Sequence, residues 1–185
     1  MSAVSEAYIK LKENDLMYIR NWKKGQDNSA LIAICVQNFD VPTSRIESIL
    51  KYAHEVLIIC HENGEIAGFL SYRLRINHMV LIDYVVLNNT FQRKGIARKL
   101  LPVFEKHVLN QGITTIYGMV DKENHQGIES FKRLGFETKG SFLTNYVIKK
   151  KLTPPHVNEL VKPVSIEELK IHVSKLSAAP SLRRR

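Results

Sequence analysis

The stretch Gln92-Arg-Lys-Gly-Ile-Ala97 lies between an apolar run at 79–87 and an amphipathic pattern at 95–110. Short apolar runs rich in β-branched residues predict a strand, and apolar side chains every three to four residues predict a helix. The first N–H groups of a helix have no partner inside the helix, and they attract anions. Gly95 leaves room for a ligand beside the backbone, and the two basic residues before it add positive charge. This stretch therefore predicts an anion site suited to a diphosphate.

Two better-known phosphate-binding patterns do not occur in this sequence, namely GxGxxG after a strand and GxxxxGK followed by Ser or Thr. This disfavours dinucleotide-binding proteins and nucleotide triphosphatases. The stretch instead resembles the acyl-CoA-binding signature of the GNAT superfamily of N-acyltransferases. That signature has Gln or Arg, then Gly three residues later, and then Gly or Ala two residues after that. It matches Gln92, Gly95 and Ala97. A solvated helix start with no ligand is the simpler alternative.

A second segment strengthens the resemblance. The family has an Asn, a small residue three positions later, a Tyr four positions after that, and then a Gly-Phe pair. This chain matches the pattern at Asn124, Gly135 and Phe136. It departs from the pattern at Gly127, where Ala is usual, and at Phe131, where Tyr is usual.

Periodicity and turn signals predict the element order β-α-α-β-β-β-α-β-α-β-β, an α+β fold with a mixed sheet. The GNAT fold has the same order, and the resemblance covers about residues 15–152. Asn88-Asn89 is predicted to form a bulge that splays the strand at 79–87 from the strand at 113–120 and opens a slot. A plain strand end is the alternative.

Two further local predictions concern a helix start and a hairpin. Ser44 with Glu47 fits a capping box for the second helix. The last hairpin is predicted from Phe136–Lys139 and Phe142–Lys151.

The predicted domain boundaries are an N-terminal extension at 1–14, a GNAT acyltransferase domain at 15–152 and a C-terminal segment at 153–185. The C-terminal segment contains prolines, a short amphipathic helix and a basic tail. We expect the helix to dock on its own domain, and a role in binding a partner or in forming a homodimer is the alternative.

The composition is that of a soluble globular protein, with 185 residues, 44% hydrophobic and 24% charged. No apolar run approaches the roughly 18 residues of a membrane span, and we expect no membrane association. The N-terminus lacks a secretory signal pattern. Cys35 and Cys60 are too few for a disulfide framework or a zinc site, so we expect reduced buried thiols, a cytoplasmic location and no metal.

The net charge of +9 raises the possibility of a nucleic-acid partner. We disfavour it because a basic cluster at the predicted anion site is expected from a phosphate-containing ligand alone, and because aromatic and basic residues are not interleaved as in base-stacking surfaces. That cluster is Arg93, Lys94, Arg98 and Lys99, and other basic residues lie at 149–151 and 183–185.

The resemblance implies acetyl-CoA as co-substrate, with its pantetheine arm paired to the backbone of the strand before the signature. Carried over residue by residue, the ligand would bind at Val85, Val86, Leu87, Gln92, Arg93, Lys94, Gly95, Ile96, Ala97, Arg98, Asn124 and Phe131.

The reaction also requires proton transfers. Asp83 is the only acid in the run 79–87, and alternation puts it on the face of Leu81 and Val85. It is predicted to be the base or amine-binding carboxylate, with an ion pair to Arg73 or Arg75, or an exposed position, as the alternatives. The family's thiolate acid is the Tyr replaced here by Phe131, and a phenyl ring cannot donate a proton.

Tyr146 is the predicted substitute for that acid, with Tyr117 or water as alternatives. The resulting hypothesis is an N-acetyltransferase that moves an acetyl group from acetyl-CoA to a primary amine, by direct attack in a ternary complex. The alternative hypothesis is a catalytically silent GNAT-fold module that binds acyl-CoA.

Overall fold

The computed structural model describes residues 7–12, 15–75 and 78–153. These residues form one sheet of eight strands in the spatial order β1-β2-β3-β4-β5-β6-β8-β7. The strands are β1 (Ala7–Lys12), β2 (Asp15–Asn21), β3 (Glu55–His61), β4 (Ile66–Arg75), β5 (Met79–Leu87), β6 (Thr115–Asp121), β7 (Glu137–Phe142) and β8 (Asn145–Lys151). The helices are α1 (Asn28–Asn38), α2 (Thr43–Tyr52), α3 (Ile96–Asn110) and α4 (His125–Arg133), with a 3-10 turn at Asn89–Phe91.

The predicted element order is confirmed, with one strand added. β1 lies inside the predicted N-terminal extension and pairs antiparallel with β2. The predicted domain boundaries themselves stay predictions, and the predicted C-terminal helix and basic tail lie outside the described residues.

Two apolar cores cover the two faces of the sheet. The first core lies between the sheet and α3, with side chains of α4 packed against it. The second core lies between the sheet and the helices α1 and α2. Both cysteines are free and buried, as predicted, and both belong to the second core. No helix within the described residues has both the length and the apolar character needed to cross a membrane.

A buried ion pair ties the start of α1 to β2. The two terminal nitrogens of Arg20 donate hydrogen bonds to the two carboxylate oxygens of Asp27, at 2.8 and 2.9 Å. The backbone N–H of Lys23 donates to the same carboxylate at 2.8 Å. The hydrogen bonds from Arg20 hold the pKa of Asp27 below its usual value. The pair therefore holds the start of α1 against β2.

The predicted splay between the two central strands is present. β5 and β6 are parallel, and their register runs only from Met79 opposite Thr115 to Leu81 opposite Tyr117. β5 then continues to Leu87 beside β4 alone. A slot therefore opens between the carboxyl-terminal halves of β5 and β6.

The predicted position of the bulge is wrong. The register with β4 changes from Tyr72 opposite Ile82 to Ser71 opposite Tyr84, so Asp83 is the extra residue. Two consecutive residues of a bulge oppose one partner residue, which shifts the alternation of the strand that follows. Asn88 instead begins the 3-10 turn, and its side-chain oxygen accepts from the Thr90 N–H at 3.2 Å.

Two other local predictions are also wrong. The second helix begins at Thr43 after Pro42, with no side-chain cap hydrogen bond, so the predicted Ser44–Glu47 capping box does not form. The last hairpin turns at 143–144 rather than at 140–141, because β7 continues through Gly140 to Phe142 and β8 begins at Asn145.

Gly68 is where β4 approaches the end of β5 most tightly. A Cβ on Gly68 would lie 2.3 Å from the Val86 carbonyl oxygen and 2.9 Å from the Leu87 Cα, so the backbone would have to move. We expect Gly68→Ala to lower the free energy of unfolding by about 1–3 kcal/mol in urea denaturation. The matched control is Gly118→Ala in β6, where a Cβ would meet only the Ile148 side chain, at 3.2 Å. Equal stability of the two variants would contradict this account.

Candidate active site

The open edge of β5 is the first part of the candidate site. In an antiparallel pair, alternate residues turn their N–H and C=O groups toward the same neighbour. The Asn88 N–H donates to the Ala67 carbonyl of β4 at 2.8 Å. The backbone N–H and C=O groups of Val86, two residues earlier, therefore also face β4. The backbone groups of Val85 and Leu87 face the opposite side, where β6 has separated. Of the three predicted backbone contacts, Val85 and Leu87 lie at the open edge and Val86 belongs to the sheet.

The turn at 92–95 leads from this edge into α3. Arg93 and Gly95 are both left-handed, with φ of 61° and 77°. For Arg93 this conformation costs about 1–2 kcal/mol. Gly95 is the N-cap residue of α3, and no side chain of the described residues caps this helix end. A Cβ on Gly95 would meet no atom within 4 Å, so the space in front of the helix start is open.

The other predicted residues of this turn are either exposed or turned toward the interior. Arg93, Lys94 and Arg98 are exposed and add positive charge at the helix start. Ile96 is buried in the first core, so it can offer only its N–H group. Gln92 turns inward, and its Nε2 donates to the Leu87 carbonyl oxygen at 3.0 Å.

A small apolar cavity lies behind the open edge. Its volume is about 20 Å³, room for about one water-sized group. Ala97 and Val85 line it together with Phe131 of α4, so the helix start, the open edge and α4 meet there. The remaining lining residues are Leu70, Ile82, Leu100, Leu101, Leu134 and Phe136.

Asn124, which the resemblance assigns to ligand binding, is the N-cap residue of α4. Its side-chain oxygen accepts from the Gly127 N–H at 2.8 Å. A Cβ on residue 127 would lie 2.6 Å from the Asn124 amide nitrogen. The departure from Ala at this position therefore fits the cap in this chain. Phe131 packs edge-to-face on Phe136, with ring centroids 5.2 Å apart, as a core residue would.

Asp83 forms the ion pair with Arg73 that the sequence analysis named as an alternative. The Arg73 Nε donates to Asp83 Oδ2 at 3.0 Å, and its Nη2 donates to Oδ1. The Asp83 side chain is 3% exposed and that of Arg73 39% exposed. The prediction that Asp83 shares a face with Val85 is wrong, because Asp83 is the bulge residue and the alternation shifts after it. It lies on the face of Tyr84, toward α1 and α2.

The two tyrosines considered as acids lie on opposite faces of the sheet. Tyr146 lies opposite Val120 and packs against the first core, which is the face of the cavity. Tyr117 alternates with Ile116 and faces the other way, with the Lys149 ammonium 5.2 Å from its ring centroid. Neither residue lines the cavity. The placement on the cavity face favours Tyr146 over Tyr117.

Sequence reasoning missed Asn38, the last residue of α1. Its side-chain oxygen accepts from Gln92 Nε2 at 2.6 Å, across 54 residues of sequence. An Asn at a helix end is common, and nothing in its local pattern distinguishes it. Only the folded chain brings it to the signature.

Known proteins include relatives in sequence and in fold. A relative from Pectobacterium atrosepticum, an acetyltransferase, is 28% identical over 97 residues, which are 52% of this chain and 68% of that protein. A ribosomal-protein alanine N-acetyltransferase from Escherichia coli has the same fold, with a TM-score of 0.63 and 16% identity over 77% of this chain and 97% of that one. An N-acetyltransferase from Thermoplasma acidophilum, solved in complex with coenzyme A, has a TM-score of 0.59 and 17% identity over 73% and 98%.

At these identities the two structures show the fold alone. The family itself is shown by a sequence model. The model for the acetyltransferase (GNAT) family matches residues 17–136, a range that begins in β2 and includes the open edge, the helix start and α4. The chain therefore belongs to the GNAT family of acetyltransferases.

Proposed function

We propose that this protein is an N-acetyltransferase that moves an acetyl group from acetyl-CoA to a primary amine by direct attack in a ternary complex. The observation that supports the proposal best is the unpaired edge of β5 directly before the uncapped start of α3. An extended amide chain fits the first feature and a diphosphate fits the second.

The residues of the open edge and the helix start would bind the co-substrate. The N–H groups at the start of α3, with Arg93, Lys94 and Arg98, would hold the diphosphate. Val85 and Leu87 would pair with the pantetheine amides, and an N–H of this edge would polarise the thioester carbonyl. Acetyl-CoA would supply the acetyl thioester and its leaving thiol.

Two proton transfers complete the proposed reaction. Asp83 would accept the proton of the incoming ammonium, directly or through water, from the face toward α1 and α2. Tyr146, which lies on the cavity face, or water would neutralise the leaving thiolate. Phe131 cannot do so, since it has no ionisable group.

The second candidate function is a catalytically silent module that binds acyl-CoA. Phe131 favours it, because the apolar core contact with Phe136 occupies the place of the family's Tyr. For either function we propose a reducing, cytoplasmic location. Burial raises the pKa of the Cys35 thiol to about 12, which keeps it protonated and unreactive.

Both candidate functions require that the protein binds acyl-CoA. Calorimetric titration with acetyl-CoA, with CoA and ADP as controls, tests this binding. Saturable binding would support them, and an acceptor screen of primary amines would then separate enzyme from silent module. Lack of binding at millimolar acetyl-CoA would exclude both.

We expect Gly95→Glu to abolish acetyl-CoA binding, because the carboxylate would project into the open space that the diphosphate needs and would repel it. Gly64→Glu is the matched control, since Gly64 has φ of 87° and a Cβ there would likewise meet no atom within 4 Å. Both substitutions put a side chain on a residue in the left-handed conformation, so the backbone strain is similar in the two variants. Calorimetry should therefore detect binding only in the control, and retained binding in Gly95→Glu would disprove the proposed diphosphate site.

We expect Phe131→Tyr to raise kcat by at least about threefold, because it restores a hydroxyl acid on α4. The adjoining cavity of about 20 Å³ has room for the hydroxyl group. The measurement is the rate of CoA release with an amine found in the acceptor screen. A folded variant with unchanged kcat would mean that protonation of the thiolate does not limit turnover. Activity that arises only in the variant would favour the silent module for the natural chain.

We expect Asp83→Asn to lower kcat at least about tenfold, because general bases contribute two to four orders of magnitude. Its acetyl-CoA affinity should stay within about twofold of the parent, since the helix start does not involve Asp83. Glu47→Gln, which changes an exposed carboxyl group on α2, is the control. Unchanged kcat in Asp83→Asn would limit Asp83 to its ion pair with Arg73.

A further inference from the structure

Two side-chain amides converge on the carbonyl oxygen of Leu87, the last residue of β5. Gln92 Nε2 donates to it at 3.0 Å and Asn38 Nδ2 at 3.3 Å. The two amides also bond to each other, since Asn38 Oδ1 accepts from Gln92 Nε2 at 2.6 Å. Gln92 reaches Asn89 Oδ1 as well, at 3.0 Å. We call Asn38, Gln92 and the Leu87 carbonyl the amide triangle.

A helix-capping role explains only part of the triangle. Asn38 Nδ2 also donates to the Ile34 carbonyl oxygen at 2.8 Å, a local bond that holds the Asn38 side chain against the last turn of the helix. Capping does not require the bond to Gln92, which is the shortest of the set. Nor does it require the bond to Leu87, which lies 49 residues away.

The triangle also limits what the open edge can offer. Three acceptors share the two hydrogens of Gln92 Nε2. The amides of Gln92 and Asn38 nevertheless both lie within hydrogen-bonding distance of the Leu87 carbonyl oxygen and cover it. A ligand at this edge therefore finds the N–H of Leu87 and both groups of Val85, but not the Leu87 carbonyl. The neighbouring residue Phe39 fixes the same corner of α1, because its ring contacts Tyr84 beside the bulge at 5.6 Å between centroids.

We propose that Asn38 is a positioning residue of the acyl-CoA site. It holds Gln92, the first residue of the signature, and fixes the Leu87 peptide so that its N–H points into the slot. Through Asn38, the end of α1 is coupled to the cofactor side of β5. This inference rests on the proposed function, since it concerns the binding of acetyl-CoA.

The test is a calorimetric titration of the full chain with acetyl-CoA. We expect Asn38→Ala to bind about tenfold more weakly, as follows from the loss of about one hydrogen bond's free energy at the site. Gln37→Ala is the matched control, because Gln37 is the preceding amide on α1 and is exposed. Its affinity should stay within about twofold of the parent. Asn38→Ala that is folded yet binds as tightly as the parent would overturn the proposal.

A double-mutant cycle with Gln92→Ala separates positioning from general stability. We expect the double variant to bind no more weakly than the weaker single variant, because both substitutions break the same triangle. Additive losses would overturn the proposal. If Asn38→Ala does not fold, Gln92→Ala tests the pair from the loop side. It should then speed amide hydrogen exchange at 36–40 as well as at 92–98, and unchanged exchange at 36–40 would overturn the coupling.

These outcomes separate the inference from the proposed function. If the parent chain itself does not bind acetyl-CoA, the proposed function fails and this inference fails with it. If the parent binds and Asn38→Ala binds equally well, only the inference fails.

Discussion

Only three residue pairs, from Met79–Thr115 to Leu81–Tyr117, hold β5 and β6 together, and the candidate site depends on the pairing ending there. Buried backbone groups almost always have hydrogen-bond partners. Had the ladder continued, β6 would occupy the groups of Val85 and Leu87. Because it stops, the sheet retains an unpaired edge in its interior, and an extended ligand can complete it as a strand would.

The bulge at Asp83 turns neighbouring side chains of β5 toward opposite faces of the sheet. Ile82 and Val85 both contribute to the first core, although three positions separate them. The extra residue leaves Asp83 and Tyr84 on the opposite face, where α1 and α2 pack. Under the proposed function, the face toward α3 and α4 would bind the co-substrate and the Asp83 carboxylate would act from the opposite face.

The sequence predicted the features that depend on local chemistry. The order of elements follows from periodicity, and the start of α3 follows from a glycine and basic residues before an amphipathic run. The bulge was misplaced because strict alternation of side chains does not allow for an extra residue, and the residues before and after Asp83 are apolar enough to pack on either face. β1 was missed because its stability comes from pairing with β2. Asn38 could not be found, since its partner lies 54 positions away.

Phe131 cannot protonate the leaving thiolate, so the cost of that missing proton transfer has to be compared with the cost of removing a proton from the amine. An amine has a pKa of about 10.4, so removing its proton at pH 7 costs about 4.6 kcal/mol. A thiol has a pKa of about 8.5, and its thiolate can leave first and take a proton from water afterwards. Loss of a hydroxyl acid on α4 is therefore the smaller deficit for amine acetylation. In the proposed reaction the acceptor-side base therefore matters more than the acid, and the base proposed here, Asp83, would have to act from its ion pair with Arg73.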